Sequence, residues 1–223
     1  MSIKSLLLNQ SIILFLCLSF GCVGPLKAAD QLGYVSDCSP CDVKLGPNNH
    51  SYSFYFEIIP FGVNEKKLEK IYVKTTSSDK TVQELQVSDM DSIFNEEKFF
   101  FYADDINFDG LFDIFLITSS GAANSYANYW TFDREKSFFK FLGNFPVFKI
   151  DKASKNLMTY ERFGSGGIEY VKKTYKFFQK ELLVTEVEEQ HFDKKENSFV
   201  KIKKTLIDNT LVTTGREIIK TNN

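Results

Sequence analysis

Histidine is scarce in this chain, and the residue patterns of the common enzyme classes are missing. The two histidines, His50 and His191, have no partner at metal-ligand spacing, as in H-E-x-x-H. No G-x-S-x-G nucleophile motif occurs, and no glycine-rich phosphate loop opens a helix. Glu186 and Glu188 have the spacing to share a strand face, as a glycosidase pair does, but a solvated charged face explains them better. We therefore expect a protein that is not an enzyme.

Neither sign of charge is in large excess. The chain has 29 acidic and 27 basic residues, for a formal net charge of −2 at pH 7. Removal of residues 1–29, which contain Lys4 and Lys27, changes that charge to −4. A mildly acidic balance, with lysines interleaved among glutamates, argues against nucleic acid as a partner.

The leader, residues 1–29, has the pattern of a secretory signal. Residues 12–18 form an apolar core that is too short to span a bilayer. Cleavage after Gly21 would expose Cys22 for lipidation, whereas cleavage after Ala28 would release a soluble protein. We expect export to the periplasm or cell envelope. The protein would be soluble there, or it would be an outer-membrane lipoprotein that contacts the membrane only through its lipid anchor.

Cysteine is sparse after the leader. Cys38 and Cys41 have the spacing of a thioredoxin-type redox pair. Such a pair needs a following helix to lower its thiolate pKa, and residues 42–47 do not predict one. A small structural disulfide between Cys38 and Cys41, which export permits, is the preferred interpretation.

Long amphipathic helices are also missing, whereas aromatic residues are abundant. The chain has 23 Phe and 10 Tyr, which recur in short runs between turns. The strand-like runs follow one another at intervals of about 8–12 residues, and nothing repeats at the period of about 40 that a multi-blade propeller requires. Strict alternation places four residues on one face of the first long strand: Tyr52, Phe54, Phe56 and Ile58. We predict an all-β fold, as a single antiparallel β-sandwich or curled sheet.

The predicted β domain covers residues 51–215. It follows an irregular N-terminal segment at 30–50 and precedes a C-terminal tail at 216–223. Only residues 63–70 and 88–95 have a pattern that permits a helical turn. We predict strands at 51–58, 68–75, 82–87, 99–102, 112–118, 126–132, 138–142, 147–150, 157–163, 168–178, 182–190, 199–207 and 211–214.

The most specific pattern is D-x-N-x-D-G-x-x-D, which lies between two predicted strands. We call it the acidic loop, residues 105–113; its oxygen-bearing side chains are Asp105, Asn107, Asp109 and Asp113. Ca²⁺ takes about six to eight oxygen ligands, the Leu111 carbonyl would add one, and Gly110 permits a positive φ. The loop is not an EF-hand, because Leu116 replaces the glutamate at position 12. We predict a Ca²⁺ site; an acidic turn without metal is the alternative.

Two further loops are rich in small and polar residues. The glycine loop, residues 163–170, has three glycines, and the serine loop, residues 118–126, has three serines; each ends in a tyrosine. Glycine lets a backbone approach a partner closely, and serine and tyrosine supply hydrogen bonds and a rigid contact surface. A flexible or bulged hairpin is the alternative for the glycine loop. We predict a recognition edge with these contact residues: Ser165, Gly166, Tyr170, Ser120 and Tyr126.

These motifs together resemble a family of exported lysozyme-inhibitor-like proteins. The resemblance rests on the acidic loop, the serine loop, the aromatic strand at 126–132 and the glycine loop, and it covers about residues 97–190. It implies the fold of periplasmic lysozyme inhibitors. It also implies a role as an immunity protein against peptidoglycan-cleaving effectors that antibacterial secretion systems deliver. Comparable calcium loops also occur in FG-GAP-type propeller and adhesion proteins.

In periplasmic lysozyme inhibitors, a Ser-Gly-x-x-Tyr loop enters the lysozyme cleft. Here Tyr170 follows Ser165 and Gly166 one residue later than in that pattern. The resemblance implies that Tyr170 stacks in the sugar site and that Ser165 bonds to the catalytic carboxylates. We therefore expect a calcium-stabilised envelope protein that binds and inhibits a lysozyme-like peptidoglycan hydrolase. The alternative is a calcium-binding adhesion or glycan-binding module with no inhibitory role.

Overall fold

The computed structural model describes residues 41–45, 50–62, 65–77, 80–87, 93–94 and 100–219. Fifteen strands account for most of these residues, with one short 3₁₀ turn at Ser165–Gly167. Every strand pair is antiparallel. The predicted all-β antiparallel fold is confirmed. Within the described ranges no helix is long and apolar enough to cross a membrane.

The strands form three sheets in chain order. The N-terminal sheet contains β1 (Cys41–Leu45), β2 (His50–Phe61), β3 (Glu65–Thr75), β4 (Thr81–Gln86) and β5 (Ile93–Phe94). The central sheet contains β6 (Phe101–Asp104), β7 (Asp113–Ser120), β8 (Ser125–Asp133) and β9 (Phe138–Pro146). The C-terminal sheet contains β10 (Lys149–Asp151), β11 (Asn156–Arg162), β12 (Tyr170–Phe178), β13 (Glu181–Asp193), β14 (Ser198–Ile207) and β15 (Thr210–Ile219). Apart from β5, which pairs with β3, each strand pairs with its chain neighbours, because short connections favour adjacent strands.

The structure differs from the predicted boundaries in three places. Strand β1 lies within the segment 30–50 that was expected to be irregular, because its backbone pairs with β2. Strand β15 continues to Ile219, inside the expected tail, because it pairs with β14 along its whole length. The helical turn that the pattern of residues 63–70 permits is absent from the described part of that segment, since Glu65 already begins β3 and pairs with Phe61.

The central sheet has apolar side chains on both faces because it lies between the other two sheets. On β7, Ile114 and Leu116 pack with residues of the N-terminal sheet. Phe115, on the opposite face of the same strand, packs with residues of the C-terminal sheet. An ordinary two-layer sandwich has one solvated face on each sheet, so this chain forms three layers with two cores.

Aromatic rings fill both cores. On the N-terminal side, the buried Phe54 ring lies 5.0 Å from the Phe101 ring and 5.5 Å from the Phe139 ring. On the C-terminal side, the Tyr129 ring lies 4.7 Å from the Phe148 ring. These separations and tilts are those that aromatic pairs prefer, so the abundance of Phe and Tyr is explained mainly by core packing.

The predicted alternation of β2 holds only as far as Phe56. Tyr52 and Phe54 are buried, and Phe56 packs against the same core. Ile58, however, is 41% exposed. The pairing register with β3 shifts between Glu57 and Ile58, and such a bulge changes the face on which the following residues lie.

Gln83 of β4 fastens the N-terminal sheet to the free edge of β9. Its side-chain amide donates to the Phe139 carbonyl at 2.6 Å and accepts from the Phe139 N–H at 2.8 Å. The side chain thus takes the place of a neighbouring strand at this edge, which would otherwise leave two backbone groups unpaired.

Candidate functional site

The acidic loop connects β6 to β7, and its side-chain oxygens accept hydrogen bonds from its own backbone. The Asp105 carboxylate accepts from the N–H groups of Asp109 and Gly110, each at 3.0 Å. The side-chain oxygen of Asn107 also accepts from the Asp109 N–H, and Asp109 accepts from the Leu111 N–H at 2.8 Å. Gly110 has a φ of 84°, as predicted. The loop is therefore wound tightly and held by hydrogen bonds between its own side chains and backbone.

Asp113 is fully buried at the start of β7. One of its carboxylate oxygens accepts from the N–H groups of Ile106 at 2.9 Å and Asn107 at 3.0 Å. The other oxygen accepts from the Phe132 N–H at 2.8 Å. Burial raises the pKa of Asp113 to about 8 against the opposing effect of these three donors, and the Asp109 charge adds to the rise. An ionised Asp113 is costly in this position unless a cation is close.

The donor chemistry of the acidic loop suits a hard cation. Burial, and then the negative charge of Asp109, raise the pKa of Asp105, while hydrogen bonds from backbone N–H groups lower it. The carboxylates of Asp105 and Asp109 therefore repel each other when both are ionised. Because the Asp113 carboxylate accepts three N–H bonds, about one of its four lone-pair sites is left for another ligand. Among the described residues, no three His, Cys, Asp or Glu side chains converge as metal ligands. Within the loop, the side-chain amide nitrogen of Asn107 donates a hydrogen bond to the Asp109 carboxylate at 3.1 Å. The exposed Asp109 side chain would have to turn before the loop could close on an ion.

Side chains on both sides tie the acidic loop to the three sheets. Ile106 is completely buried in the core on the C-terminal side, and Leu111 is buried in the core on the N-terminal side. Asp104, at the end of β6, accepts from the Asp105 N–H at 2.8 Å and pairs with Lys152 of the β10–β11 turn at 3.0 Å. The loop thus lies where the three sheets meet.

A cavity of about 490 Å³ lies beside the acidic loop. Its lining includes Asp109 of the loop, Phe132 and the charged side chains of Arg134 and Lys180. Lys180 comes from the β12–β13 hairpin and forms an ion pair at 3.3 Å with Glu135 of the β8–β9 hairpin. This volume falls within the range of about 300–1,000 Å³ that is typical of small-molecule sites.

At the other end of the central sheet, the glycine loop forms a closed turn. The Phe163 N–H donates to the Glu169 carbonyl at 2.8 Å, which closes the loop across its base. Gly166 and Gly167 have φ values of 69° and 88°, in the left-handed region that favours glycine. Ser165 and Gly166, two of the predicted contact residues, lie in the 3₁₀ turn.

The glycine loop is fixed against β13. One oxygen of the Glu169 carboxylate accepts from the Phe192 N–H at 3.0 Å, and the Gln190 amide donates to the Ile168 carbonyl at 3.0 Å. The other oxygen of Glu169 lies so close to Gly164 that a Cβ there would approach it to 2.6 Å. A side chain at position 164 would therefore displace the Glu169 carboxylate from its present place.

The structure brings the serine loop and the glycine loop together. The side-chain amide of Asn124 donates to the Arg162 carbonyl at 2.9 Å and accepts from the Arg162 N–H at 2.8 Å. Beside this contact, the Tyr126 hydroxyl donates to the Glu161 carboxylate at 2.7 Å. We call the two loops, joined in this way, the paired loops. Sequence reasoning predicted one recognition edge but had no signal for Asn124, Glu161 or Arg162 as the residues that join it.

Tyr170 lies just after the turn, as the first residue of β12. Its hydroxyl donates to Glu188 at 2.9 Å, and its ring lies 5.2 Å from the ring of Tyr160. Burial raises the pKa of Tyr170 to about 12, and the bond to Glu188 adds to this effect. The most exposed apolar side chains of the glycine loop are instead Phe163 and Ile168, which are 54% and 48% exposed.

The remaining predicted site residues are placed as follows. Ser120 is the last residue of β7, and its hydroxyl lies 3.2 Å from that of Ser125. Cys22 and Cys38 lie outside the described residues, and only the backbone of Cys41 is described. Lipidation at Cys22 and the disulfide between Cys38 and Cys41 therefore stay predictions.

No protein-family model matches this chain, and no curated protein matches it. Among solved structures, the fold is similar to one described as "Structure of a Xanthomonas Type IV Secretion System related protein". The match covers 85% of this chain and 97% of that one, with a TM-score of 0.50 and 12% sequence identity. At this identity, the similarity shows a shared fold and no more.

Proposed function

We propose that this protein is an exported inhibitor that binds a lysozyme-like, peptidoglycan-cleaving enzyme, and that it is not itself an enzyme. The observation that carries the proposal is the double hydrogen bond between Asn124 and Arg162, which joins two loops into one edge. A loop that is already held in shape loses little conformational entropy when it enters a cleft, so rigidity favours tight binding. The solved structure with a similar fold is described as secretion-system related, which supports an envelope setting.

The inhibitory mechanism requires occupancy of a cleft and no chemistry from this chain. The glycines of the turn let the backbone approach the walls of a cleft, while Phe163 and Ile168 present exposed apolar surface beside it. Ser165 begins this turn, and we propose its hydroxyl as a contact to the partner. Tyr170, whose hydroxyl is already bonded to Glu188, supports the base of the loop together with Tyr160.

We also propose that the acidic loop holds Ca²⁺ through its four oxygen-bearing side chains and the Leu111 carbonyl: Asp105, Asn107, Asp109, Asp113 and Leu111. Bound Ca²⁺ would supply positive charge to carboxylates that otherwise repel one another. Asp113 would keep its three backbone donors and offer its remaining lone pair. Because Ile106 and Leu111 anchor the loop in two cores, its closure would stabilise the packing of all three sheets.

Inhibition assays test the proposed function. The purified mature protein, with Ca²⁺ present, is mixed with a panel of peptidoglycan glycosidases, and cell-wall lysis is followed by turbidity. We expect stoichiometric inhibition of at least one lysozyme-like enzyme. If every enzyme in the panel retains full activity at a large molar excess of this protein, the inhibitor proposal is wrong.

The cavity beside the acidic loop favours a second candidate function, calcium-dependent glycan binding without inhibition. Its lining combines an aromatic ring, Phe177, with charged groups and with Asp109 of the loop. A glycan array probed with and without a calcium chelator distinguishes the two functions. Calcium-dependent glycan binding, together with no inhibition of any hydrolase, would support this alternative.

A further inference from the structure

Arg162, the last residue of β11, lies at the contact between the paired loops. Its backbone is bonded to Asn124, and its guanidinium lies over the Tyr160 ring, 5.4 Å from the ring centre. Gly167 has no side chain, and this leaves room for the Arg162 side chain, since a Cβ at position 167 would lie 3.4 Å from the Arg162 Cδ. The side chain of Arg162 is exposed but supported on both sides.

Arg162 forms no ion pair with any described residue, whereas Glu161 of the same strand and Glu188 of β13 have other partners. Glu161 accepts from Tyr126 and lies 4.0 Å from the Lys173 amine. Glu188 accepts from Tyr170 and pairs with Lys203 at 3.4 Å. Glu161 and Glu188 are therefore already paired, and the exposed Arg162 side chain has no ion-pair partner among the described residues.

Exposed apolar side chains lie on and beside the glycine loop. Of the large hydrophobic residues that are exposed in the described part of the chain, four lie on or beside the glycine loop: Tyr160, Phe163, Ile168 and Phe192. The Phe192 N–H is bonded to Glu169, which places this residue against the loop. An arginine among exposed aromatic and aliphatic groups is the composition that protein interfaces favour at their energetic centre.

We propose that Arg162 is the ion-pairing anchor of the paired loops and that it binds the catalytic carboxylates of a glycosidase cleft. This inference rests on the proposed inhibitor function and names the chemistry that the loops recognise. Glycosidases carry a pair of carboxylates, about 5–9.5 Å apart, at the centre of a concave site. The guanidinium presents planar, bidentate donors that match a carboxylate, and its fixed position reduces the entropy lost on binding.

The test uses the full mature chain and the hydrolase that it inhibits best. Dissociation constants are measured for wild type, Arg162→Ala and Arg162→Lys, against the active hydrolase and against a variant whose catalytic glutamate is replaced by glutamine. We expect Arg162→Ala to bind the active enzyme about 30-fold or more weakly, which corresponds to the loss of one buried charge pair. Arg162→Lys should recover only part of this loss, because an ammonium cannot bond in a bidentate manner. Replacing the catalytic glutamate of the hydrolase by glutamine should weaken the binding of the wild type but change the binding of Arg162→Ala very little. The reason is that the Arg162 guanidinium and that glutamate would act as one pair.

Two control variants remove a positive charge elsewhere. Arg134→Ala removes an exposed arginine beside the cavity at the far end of the molecule, and Lys172→Ala removes an exposed lysine that pairs with Tyr160 across β11 and β12. Both should bind the hydrolase nearly as tightly as wild type. Melting curves confirm that each variant is folded, and Arg162→Ala retains the backbone contacts to Asn124.

The outcomes separate the two proposals. If the wild type inhibits a hydrolase and Arg162→Ala inhibits it equally well, this inference is wrong and the inhibitor function stands. Equal weakening by Lys172→Ala would indicate a general positive field and would also overturn the role of Arg162. If the wild type binds no hydrolase, both the function and the inference fail.

Discussion

The side-chain amide of Asn124 pairs with the backbone of Arg162 as one strand pairs with another. The donor and acceptor of the amide meet the carbonyl and the N–H of a residue 38 positions later in the chain, at 2.9 and 2.8 Å. Asn124 belongs to the hairpin that joins β7 to β8, and Arg162 is the last residue of β11. Two sheets are therefore joined near the end of the serine loop and immediately before the glycine loop.

Asn124→Ala should release the glycine loop from the serine loop. Because the contact is exposed, we expect a loss of only about 1 kcal/mol in the free energy of unfolding. Hydrogen exchange at the Arg162 amide should increase strongly, whereas amides in β8 stay protected. Asn124→Asp keeps the acceptor but loses the donor, so it should give an intermediate result. Unchanged exchange at Arg162 in Asn124→Ala would contradict the proposed role of the contact.

Gly164→Ala should displace the Glu169 side chain. The new Cβ would lie 2.6 Å from a Glu169 carboxylate oxygen, so that side chain must move and weaken its bond to the Phe192 N–H. We expect loss of inhibition with a small decrease in Tm, measured by lysis assay and calorimetry. Gly215→Ala, on β15 outside the paired loops, is the control, because its Cβ would lie 3.6 Å from the Lys203 Cβ, an ordinary contact distance. Equal inhibition by the two variants would show that the Glu169 side chain does not hold the glycine loop in the shape that inhibition requires.

Asp109→Ala should abolish stabilisation by calcium. An ion present at 100 times its dissociation constant stabilises the folded state by about 2.7 kcal/mol, so the wild type should melt at a higher temperature in Ca²⁺ than in EDTA. Asp109→Ala should melt at the same temperature in both. Glu135→Ala removes an exposed carboxylate beside the same cavity and should keep the full calcium response. A wild type that is indifferent to EDTA would show that the acidic loop is a metal-free turn.

Gln83→Ala should loosen the N-terminal sheet from the central sheet. The substitution leaves both backbone groups of Phe139 without their partner, at a cost of about 1–3 kcal/mol in the free energy of unfolding. Chemical denaturation measures this cost. Gln86→Ala, at an exposed position on the same strand, should cost less than about 0.5 kcal/mol. A similar cost for both variants would mean that the Gln83 contact does not hold the sheets together.

Mass spectrometry of the mature N-terminus decides the export route. A diacylated Cys22 identifies a lipoprotein, and a chain that starts at Ala29 or Asp30 identifies a soluble exported protein. In Cys22→Ala, a lipoprotein would lose its membrane attachment, whereas a soluble protein would be unchanged. An intact Met1 in the purified protein would show that the leader is not cleaved.

Most of the strands could be predicted because their signal is local. Each run of Phe, Tyr, Val and Ile lies between turn residues, and the hairpin at 133–136 joins β8 to β9 as expected. The positive φ of Gly110 was also predictable, since the position after Asp109 in such a loop requires a residue without Cβ. These features depend on a few neighbouring residues and need no knowledge of distant contacts.

Other features depend on register, which a single strand does not specify. Ile58 was expected on the same face as Tyr52, Phe54 and Phe56, but the bulge after Glu57 leaves it exposed. Strand β1 has no strong pattern of its own and is ordered through backbone pairing with β2. Both outcomes are set by the neighbouring strand, so alternation along one segment could not reveal them.

The amino-acid sequence by itself determined the β class of this protein, the places of most strands and the oxygen-rich chemistry of the acidic loop, because these follow from local pattern and side-chain type. Only the tertiary structure decided that a central sheet is covered on both faces and that Asn124 meets Arg162. It also decided that Tyr170 bonds to Glu188 while Arg162 has no carboxylate partner among the described residues. The physical reason is that such contacts join residues far apart in the chain, and their geometry is set by how three sheets pack rather than by any one segment.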